Sequence, residues 1–490
     1  MSSTLTRLFG QRLRIAAILL GCMVMGLFSM TGTAAVPVIP GATGFGITTP
    51  AGRGGTIYRV TNLNDAGTGS LRACIEAKGP RVCVFEVSGV IRWSDTPQVF
   101  NPYLTIAGQT APSPGIMVRG GIRLETGNVL IQHMTFRRGD DRIAYLKAFV
   151  LNNWSGVTNS NIVLDHCTFS WGTDETFDIW RDFGDITISN SIIAEGLNDS
   201  PASEYSGYGM IAGPVAVGRV SVTNNLFAHN IERSPLTKTG QFVFANNLIY
   251  NWVIEASRFQ NEVEEQYGGD VVRTKNSIVG NLYIRGPSYE VVRRGVGKPI
   301  WFDYTMAATG NQAYLFDNAE VTSTSQSLVP PSDPWTLAAI SSPNSRSSLE
   351  VRSPPTWPEG FTARPVGQVK DYVLANVGAR PADRSARDAK LVSDVKNGTG
   401  TFIHCVNPSS YYTGTGWRTE NISNCDNGNA GGWPVYAQNS RPLTLPANPS
   451  ADDDSDGYTN LEEWLHQMAA QVEGQAADVQ PEPPKIISVQ

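Results

Sequence analysis

The sequence is poor in charged residues and in histidine. Only 17% of its 490 residues are Asp, Glu, Lys or Arg, five are His, and the formal net charge is -6. The acidic balance argues against a nucleic-acid partner, which needs a basic surface. The scarcity of histidine argues against a His-rich metal site. The 48 Gly and 30 Pro are spread along the chain, which disfavours a helical bundle and favours short strands joined by turns.

The N-terminus has the pattern of an export signal. Basic residues precede an apolar run that ends in small residues: Arg7, Arg12 and Arg14, then Ile15 to about Met30, then Thr31 to Ala35. We therefore predict a signal peptide over 1–35 and a protein that is secreted to the extracellular space or the periplasm. A retained signal anchor and a lipid on Cys22 are the alternatives. The apolar run is short for a spanning helix, so we expect no stable membrane association.

Because an exported protein folds in an oxidising compartment, we predict that the cysteines after the signal peptide form disulfides. Local pairing predicts Cys74 with Cys83 and Cys405 with Cys425, although spacing alone does not fix the connectivity. Cys167 is left over, and we predict a buried, inert thiol.

Short segments of one pattern recur through the middle of the chain. Each alternates apolar and small residues and ends in a polar or small residue, with 22 to 34 residues between equivalent positions: Gln132, Asp165, Asn190, Asn224, Asn246 and Gly280. One such strand cannot bury its inner face alone. Stacked as a parallel β-helix, the strands bury it together, and the polar residues form an Asn/Ser ladder at one corner. Uneven intervals disfavour the alternative, a β-propeller.

Changes in composition along the sequence suggest how the whole chain is divided. We predict a signal peptide at 1–35, a β-helix with an N-terminal cap at 36–322, a Pro/Ser-rich strap or linker at 323–382, a C-terminal segment packing on the β-helix at 383–448, a calcium loop with its helix at 449–470, and a disordered tail at 471–490.

The motifs together resemble the pectate lyases of polysaccharide lyase family 1. The resemblance spans roughly residues 44 to 434 and includes Thr105-Ile106-Ala107-Gly108-Gln109-Thr110-Ala111-Pro112, Leu164-Asp165-His166-Cys167, Trp171-Gly172-Thr173-Asp174-Glu175-Thr176, Glu195-Gly196-Leu197-Asn198-Asp199-Ser200 and Gly431-Gly432-Trp433-Pro434. It implies an all-β, right-handed parallel β-helix enzyme that cleaves α-1,4-polygalacturonate, an acidic plant cell-wall polysaccharide, by calcium-dependent β-elimination.

Elimination removes a weakly acidic C5 proton, and a cation that neutralises the adjacent carboxylate makes this feasible. The resemblance implies Ca²⁺ held by Asp165, Asp174 and Asp178, with Glu175 as a further candidate. Asp165 could instead be a ladder residue.

Arg233, in Glu232-Arg233-Ser234-Pro235-Leu236-Thr237-Lys238, matches the arginine that the family uses as the base. A structural ion pair is the alternative, because arginine is normally protonated. Lys238 falls where the family has a second substrate-gripping arginine. Asn198 stands where many members have a substrate-binding lysine, and Leu236 replaces another arginine. Both departures reduce the positive charge offered to a polyanion.

His133 and His166 fall at neighbouring repeats, and a stacked structural pair is favoured over a zinc site because no third soft ligand is evident. Near the C-terminus, a second calcium-binding pattern is present. Its ligand positions are Asp452, Asp454, Asp456, the Tyr458 carbonyl, Asn460 and Glu463, with Gly457 at the turn. An acidic N-cap for the helix at 461–469 is the alternative role.

Two other functions stay open at this point. A glycoside hydrolase on the same scaffold would need a carboxylate pair as acid and base. A non-catalytic polysaccharide-binding solenoid would bind without turnover. In each case we expect a monomer.

Overall fold

The computed structural model describes residues 36–139, 146–153, 159–200, 203–204, 206–213, 218–261, 272–289, 297–303, 310–403, 434 and 436–475. The predicted signal peptide, Cys405, Cys425 and the motif Gly431-Gly432-Trp433 lie outside the described residues.

Three parallel sheets make up the fold, and the strands are numbered along the chain. Sheet 1 contains β1 (Thr56–Val60), β2 (Arg81–Phe85), β5 (Leu104–Ala107), β8 (Val129–Gln132), β11 (Asn159–Asp165), β14 (Phe183–Ser189), β19 (Arg219–Thr223), β22 (Gln241–Ala245), β25 (Lys275–Val279) and β28 (Gln312–Phe316). Sheet 2 contains β3 (Gly89–Arg92), β6 (Ile116–Arg119), β9 (Thr135–Arg137), β12 (Thr168–Ser170), β15 (Ile192–Ala194), β20 (Leu226–Ala228), β23 (Leu248–Tyr250), β26 (Leu282–Ile284) and β29 (Ala319–Val321). Sheet 3 contains β4 (Gln98–Val99), β7 (Ile122–Leu124), β10 (Phe149–Asn152), β13 (Glu175–Trp180), β18 (Tyr208–Ala212), β21 (Leu236–Thr237), β24 (Ser257–Phe259), β27 (Ile300–Phe302) and β30 (Ala338–Ile340). A small antiparallel hairpin joins β16 (Asp199–Ser200) and β17 (Ser203–Glu204).

The α-helices within the described residues are few and lie outside the sheets. They are α1 (Leu71–Ile75), α2 (Arg346–Leu349), α3 (Val369–Asn376), α4 (Ala386–Asn397) and α5 (Asn460–Glu473). None of the helices in the described part of the chain is both long and apolar enough to span a bilayer.

From β2 onward the chain visits sheets 1, 2 and 3 in turn, and each strand pairs in parallel with its equivalent one coil later. The predicted parallel β-helix is therefore confirmed. The six recurring segments of the sequence are consecutive strands of sheet 1, from β8 to β25.

Parallel register places like side chains above one another inside the coils. Phe136 stacks on Phe169 with ring centroids 5.8 Å apart, and Phe149 stacks on Phe177 at 5.1 Å. All four rings are fully buried. The stacked interior gives each short strand the hydrophobic partner that it lacks alone.

The polar ladder lies one residue beyond the predicted positions. Asp165 pairs with Ser189, not Asn190, and Asn190 instead takes a positive φ of 47° at the corner. The residue after the corner forms the ladder: each side-chain oxygen accepts a hydrogen bond from the backbone N–H of the equivalent residue one coil earlier, in the series Ser191, Asn225, Asn247, Asn281 and Asn318. Asn tolerates the left-handed corner and also satisfies buried N–H groups, so the sequence carries Asn at both positions.

The N-terminal end of the interior is closed by α1. Ser70 caps this helix by accepting a hydrogen bond from the backbone N–H of Ala73, and Leu71 and Ile75 are buried in the core. Cys74 and Cys83 form the predicted disulfide between α1 and β2. Cys167 is a buried free cysteine, also as predicted, and burial raises the pKa of its thiol.

Helices cover the outer faces of two sheets. Val373 of α3 and Leu391 of α4 pack on the outward residues of sheet 2, such as Leu226. Leu461 and Leu465 of α5 pack on sheet 1. The outward side chains of sheet 3 line the candidate site.

Parts of the predicted strap and tail are regular structure. The segment 323–382 contains β30, which pairs with β27 as part of sheet 3, together with α2 and α3. Helix α5 continues to Glu473, so residues 471–473 of the predicted tail are helical.

Candidate active site

A cavity of about 520 Å³ opens on the outer face of sheet 3. Its lining is mainly polar: Lys147, Asn152, Asp174, Glu175, Asp178, Trp180, Ile211, Arg233, Leu236, Lys238, Arg258 and Gln260. Five of the residues named from the sequence meet here, namely Asp174, Glu175, Asp178, Arg233 and Lys238.

Strand register builds the centre of the cavity. Asp178 of β13 pairs with Val150 of β10 on one side and with Ile211 of β18 on the other, and Ile211 pairs with Leu236 of β21. Side chains from successive coils therefore form rows across the sheet. One row brings Asp178 and Arg258 to the cavity on either side of two apolar residues.

Lys147 lies among the three carboxylates of the cavity. Its Nζ is 2.6 Å from Asp174 Oδ2, 3.4 Å from Glu175 Oε2 and 3.8 Å from Asp178 Oδ2. The coils fix this position, because Phe149 pairs with Phe177 and so sets Lys147 beside Glu175. The result is a tethered ammonium inside an acidic cluster.

Arg233 comes from the coil of β21, two coils after Glu175, and precedes that strand by three residues. Its backbone has a φ of 62°, and its Nη1 donates a hydrogen bond to Glu175 Oε1. Its guanidinium carbon lies 3.6 Å from the centroid of the Tyr208 ring, and its Nε lies 3.8 Å from Glu232 Oε1. Glu175 thus contacts both cations of the site, Lys147 and Arg233.

The carboxylates differ in acidity. Burial, aided by Glu175 and Asp174 and opposed by Lys147, raises the pKa of Asp178 to about 8. Burial and Glu175 also raise the pKa of Asp174. For Glu175, Arg233 and Lys147 outweigh burial and lower the pKa. Glu175 is therefore the one carboxylate of the three whose pKa lies below its ordinary value.

The two cations are held protonated. Burial alone would lower the pKa of Lys147, but Glu175, Asp178 and Asp174 outweigh burial and raise it. Burial likewise opposes the charge on Arg233, but Glu175 and Glu232 raise its pKa. In this state Arg233 is an ion-pair partner, so a role as base requires that Glu175 release it.

The far side of the cavity adds two more cations. Lys238 follows β21 and is 7% exposed, with its backbone N–H donating to the Ala212 carbonyl. The Arg258 guanidinium pairs with Asp303 and lies 4.4 Å over the Trp301 ring. These groups extend the polar floor along the sheet.

Asp165 does not join the other predicted calcium ligands. It ends β11 in sheet 1, where Ser189 Oγ donates to it at 2.7 Å and Asn190 Nδ2 donates at 3.0 Å. Its second oxygen lies 2.6 Å from His166 Nδ1. Burial alone would raise the pKa of Asp165, but His166, Ser189 and Asn190 hold it below its ordinary value. Asp165 thus ends its strand just before the left-handed corner at His166, and it is not one of the ladder residues that were its alternative role.

Asn198 also lies apart from the cavity lining. It is 7% exposed, and its backbone N–H donates to the Ile403 carbonyl at 2.9 Å. Its predicted contact with substrate therefore has no counterpart among the lining residues of the described cavity.

The described residues do not fit the implied resident Ca²⁺ at Asp165, Asp174 and Asp178. Asp165 is committed to the corner of sheet 1, and the ammonium of Lys147 lies where an ion would reach Asp174 and Asp178. In the described part of the chain, two clusters of side chains each bring three potential metal-ligand atoms within 4.8 Å of one another. The carboxylates of the cavity do not form such a cluster.

One of those groups is the predicted C-terminal loop, formed by Asp452, Asp454 and Asp456. Gly457 has a φ of 99°, and its N–H donates to Asp452 Oδ2 at 3.1 Å. The predicted ligand Asn460 donates through its side chain to the Ala447 and Asn448 carbonyls and to Asp453.

The same loop leads into α5 as an N-cap. Thr459 and Glu462 form a reciprocal capping box, and burial together with Asp454 and Asp456 raises the pKa of Glu463. The carbonyl of Tyr458 remains a predicted ligand, while its hydroxyl donates to the Pro37 carbonyl. The calcium loop and the acidic cap are thus both compatible with the geometry.

The other group contains the stacked histidines. The rings of His133 and His166 lie 5.2 Å apart with an interplanar angle of 12°, as predicted for a structural pair. Glu473 of α5 lies 3.3 Å from His133 Nε2. Sequence reasoning missed Glu473 because it assigned that residue to the tail.

Sequence reasoning missed Lys147 and Arg258, two cations of the cavity lining, and Tyr208, whose ring contacts the guanidinium of Arg233. Lys147 lies two residues before β10. Its position beside Glu175 follows only from the register between β10 and β13, which the sequence does not show. Tyr208 pairs with Glu175, and Arg258 pairs with Leu236, so both follow from the same row pattern.

Comparison with known proteins gives one consistent set of relatives. No family model matches the chain. A protein of Neosartorya fischeri named "Probable pectate lyase C" is 31% identical over 447 residues, covering 91% of this chain and 96% of that protein. Its namesake in Aspergillus terreus is 30% identical over 455 residues, covering 91% and 98%. Among solved structures, the pectate lyase from Bacillus sp. N165 in complex with trigalacturonate has a TM-score of 0.44 and 16% identity, covering 69% of this chain and 98% of that chain.

Proposed function

Because the chain belongs to the pectate lyase family, we propose that it cleaves α-1,4-polygalacturonate by β-elimination in the sheet 3 cavity. The observation that carries the proposal is the meeting of Arg233 and Lys238 with the cluster Asp174, Glu175 and Asp178 in one cavity. The chain is thus a polysaccharide lyase. We also propose that it is secreted, since its substrate is a plant cell-wall polysaccharide and its N-terminus has an export pattern.

In the proposed reaction, Arg233 removes the C5 proton of a galacturonate unit. The C–H electron pair forms the C4–C5 double bond, the C4–O4 bond breaks, and the leaving oxygen takes up a proton from water. Arg233 then returns the C5 proton to the solvent. Arg233 must be neutral at that moment. Separation of Glu175 from the guanidinium when substrate binds would remove a contact that raises the pKa of Arg233, which gives substrate binding a route to prepare the base.

Lys238 and Arg258 would hold carboxylates of flanking sugar units. Trp180 also lines the cavity. The family is generally calcium-dependent. The residues of this cavity do not fit a resident calcium ion, so the proposed steps involve protein groups alone.

The test is the ultraviolet absorbance of unsaturated uronides formed from polygalacturonate. We expect wild type to produce them, Arg233→Ala to lose at least about a hundredfold in rate, and Arg219→Ala, on the outside of sheet 1, to match wild type. New reducing ends without absorbance would favour a hydrolase. Retention of polysaccharide without either product would favour a binding solenoid, and each outcome would contradict the proposal.

A further inference from the structure

The position of Lys147 bears directly on how the cavity is charged. Its side chain is 18% exposed, and its Nζ contacts carboxylates that come from the next coil. A surface lysine would pair with one carboxylate and otherwise point into water. Here the ammonium is at 2.6 Å from Asp174 and within 3.8 Å of Asp178, so it occupies the centre of the acidic cluster.

We propose that Lys147 is a built-in cation that takes the place of a calcium ion in this site, so that turnover is independent of calcium. The expected effect on the elimination rate rests on the proposed function. The expected effect on calcium binding rests on the geometry alone. Lys147 lines the cavity and has three N–H donors, so it can present positive charge to a substrate carboxylate.

Coordination chemistry supports the replacement. Calcium takes about six to eight oxygen ligands at about 2.3–2.6 Å. An ion that reached Asp174 and Asp178 at such distances would have to displace the Lys147 ammonium, because two like charges at this separation repel strongly. Displacing the ammonium would also break its contacts with Asp174 and Glu175.

The backbone keeps Lys147 where it is. Ala148, the next residue, donates its N–H to the Thr176 carbonyl at 3.0 Å, and β10 continues the pairing with β13 through Phe149 and Phe177. This pairing fixes the backbone of Lys147 beside its partners, so only the side-chain rotamers are ordered when the contacts form. The cluster therefore has its counter-charge without a bound ion.

The experiment separates the cavity from the C-terminal acidic loop. All variants carry Asp452→Asn and Asp456→Asn, which remove two carboxylates of that loop. Calcium binding is measured by titration calorimetry, and elimination is measured with excess chelator or with added Ca²⁺. In this background, the protein with Lys147 intact is compared with Lys147→Met and Lys147→Arg. Lys275→Met is the control, because Lys275 is an exposed lysine on β25.

With Lys147 intact we expect no calcium binding and the same rate in chelator and in calcium, and the Lys275→Met control should behave identically. Lys147→Met should bind one Ca²⁺, lose at least about a hundredfold in rate in chelator, and recover with calcium. Lys147→Arg should keep a calcium-independent rate. Methionine has a similar volume, and thermal melting checks that the variant folds.

The opposite results overturn the inference. One calcium ion bound with Lys147 intact, or a more than tenfold loss of rate in chelator, would show that the cavity uses a metal. Full calcium-independent activity of Lys147→Met would show that the ammonium is dispensable. If no variant makes unsaturated product, the proposed function fails, and the calcium titration alone still decides the role of Lys147.

Discussion

Glu175 is the residue whose removal best tests the role of Arg233. It is the carboxylate that accepts a hydrogen bond from Arg233 Nη1 and raises the pKa of that guanidinium. A base acts only when neutral, and the neutral fraction grows as the pH rises through the pKa. Replacing Glu175 by Gln keeps the shape of the side chain and removes its charge. We therefore expect the rising limb of the pH–rate profile to move to lower pH.

The structure sets the size of the effect. Two unit charges about 4 Å apart interact by about 4 kcal/mol at an effective dielectric constant of about 20. Since about 1.4 kcal/mol corresponds to a factor of ten, this is an upper limit of roughly a thousandfold in the deprotonation equilibrium of Arg233. Glu232, with its Oε1 3.8 Å from Arg233 Nε, remains and reduces the change. We expect a shift of about one to three pH units.

The assay is the initial rate of unsaturated uronide formation from a defined oligogalacturonate between about pH 6 and about pH 11, at saturating substrate. Glu232→Gln is the matched control, because it removes an equally buried charge that makes no hydrogen bond to the Nη1 of Arg233. Its profile should move less. Thermal melting and substrate affinity identify any loss of folding or binding.

A profile for Glu175→Gln that coincides with wild type, or that moves to higher pH, would refute the reasoning. The first result would mean that ionisation of Arg233 does not limit the reaction. The second would mean that another group, whose charge Glu175 affects in the opposite direction, acts as the base.

Three further predictions concern binding and stability. Lys238→Met should raise KM for polygalacturonate by about tenfold or more while changing kcat less, as steady-state kinetics would show, because a charge-assisted contact is lost. Asn247→Ala should lower the free energy of unfolding in urea by about 2–4 kcal/mol, because the buried N–H of Asn225 loses its acceptor; an unchanged midpoint would contradict the ladder. Calcium should raise the Tm of wild type and leave Asp456→Asn unchanged if the C-terminal loop binds the ion, whereas a cap alone predicts no calcium effect and sensitivity to Thr459→Ala.

The fold was predictable because each repeat contains a short strand in which apolar residues alternate with small residues. The strands β8, β11, β14, β19, β22 and β25 each carry their own pattern, so the sequence alone identifies them as equivalent. The corner was harder to define, because Asn occupies both the left-handed position and the ladder position. Asn224 and Asn225 are adjacent and chemically identical, and only the pairing of the backbone separates their roles.

The candidate site was predictable only where its residues share a continuous motif. Asp174 and Asp178 belong to one strand and its entry, and they meet as expected. Asp165 precedes Asp174 by nine residues, yet the coil turns a corner between them and places Asp165 in sheet 1. Lys147 shares no motif with the cluster, because loops of unequal length hide the register between coils.

The charges of the cavity explain how a protein with a net charge of -6 can accept a polyanion. Three of the four cations that line the described cavity face an internal carboxylate, in the pairs of Lys147 with Asp174, Arg233 with Glu175, and Arg258 with Asp303. Such a site attracts a polyanion weakly at long range. In the proposed reaction, a substrate carboxylate would gain binding energy at short distance by pairing with a cation of the cavity. If binding also separates Arg233 from Glu175, as proposed, the same event that recognises the sugar would prepare the base.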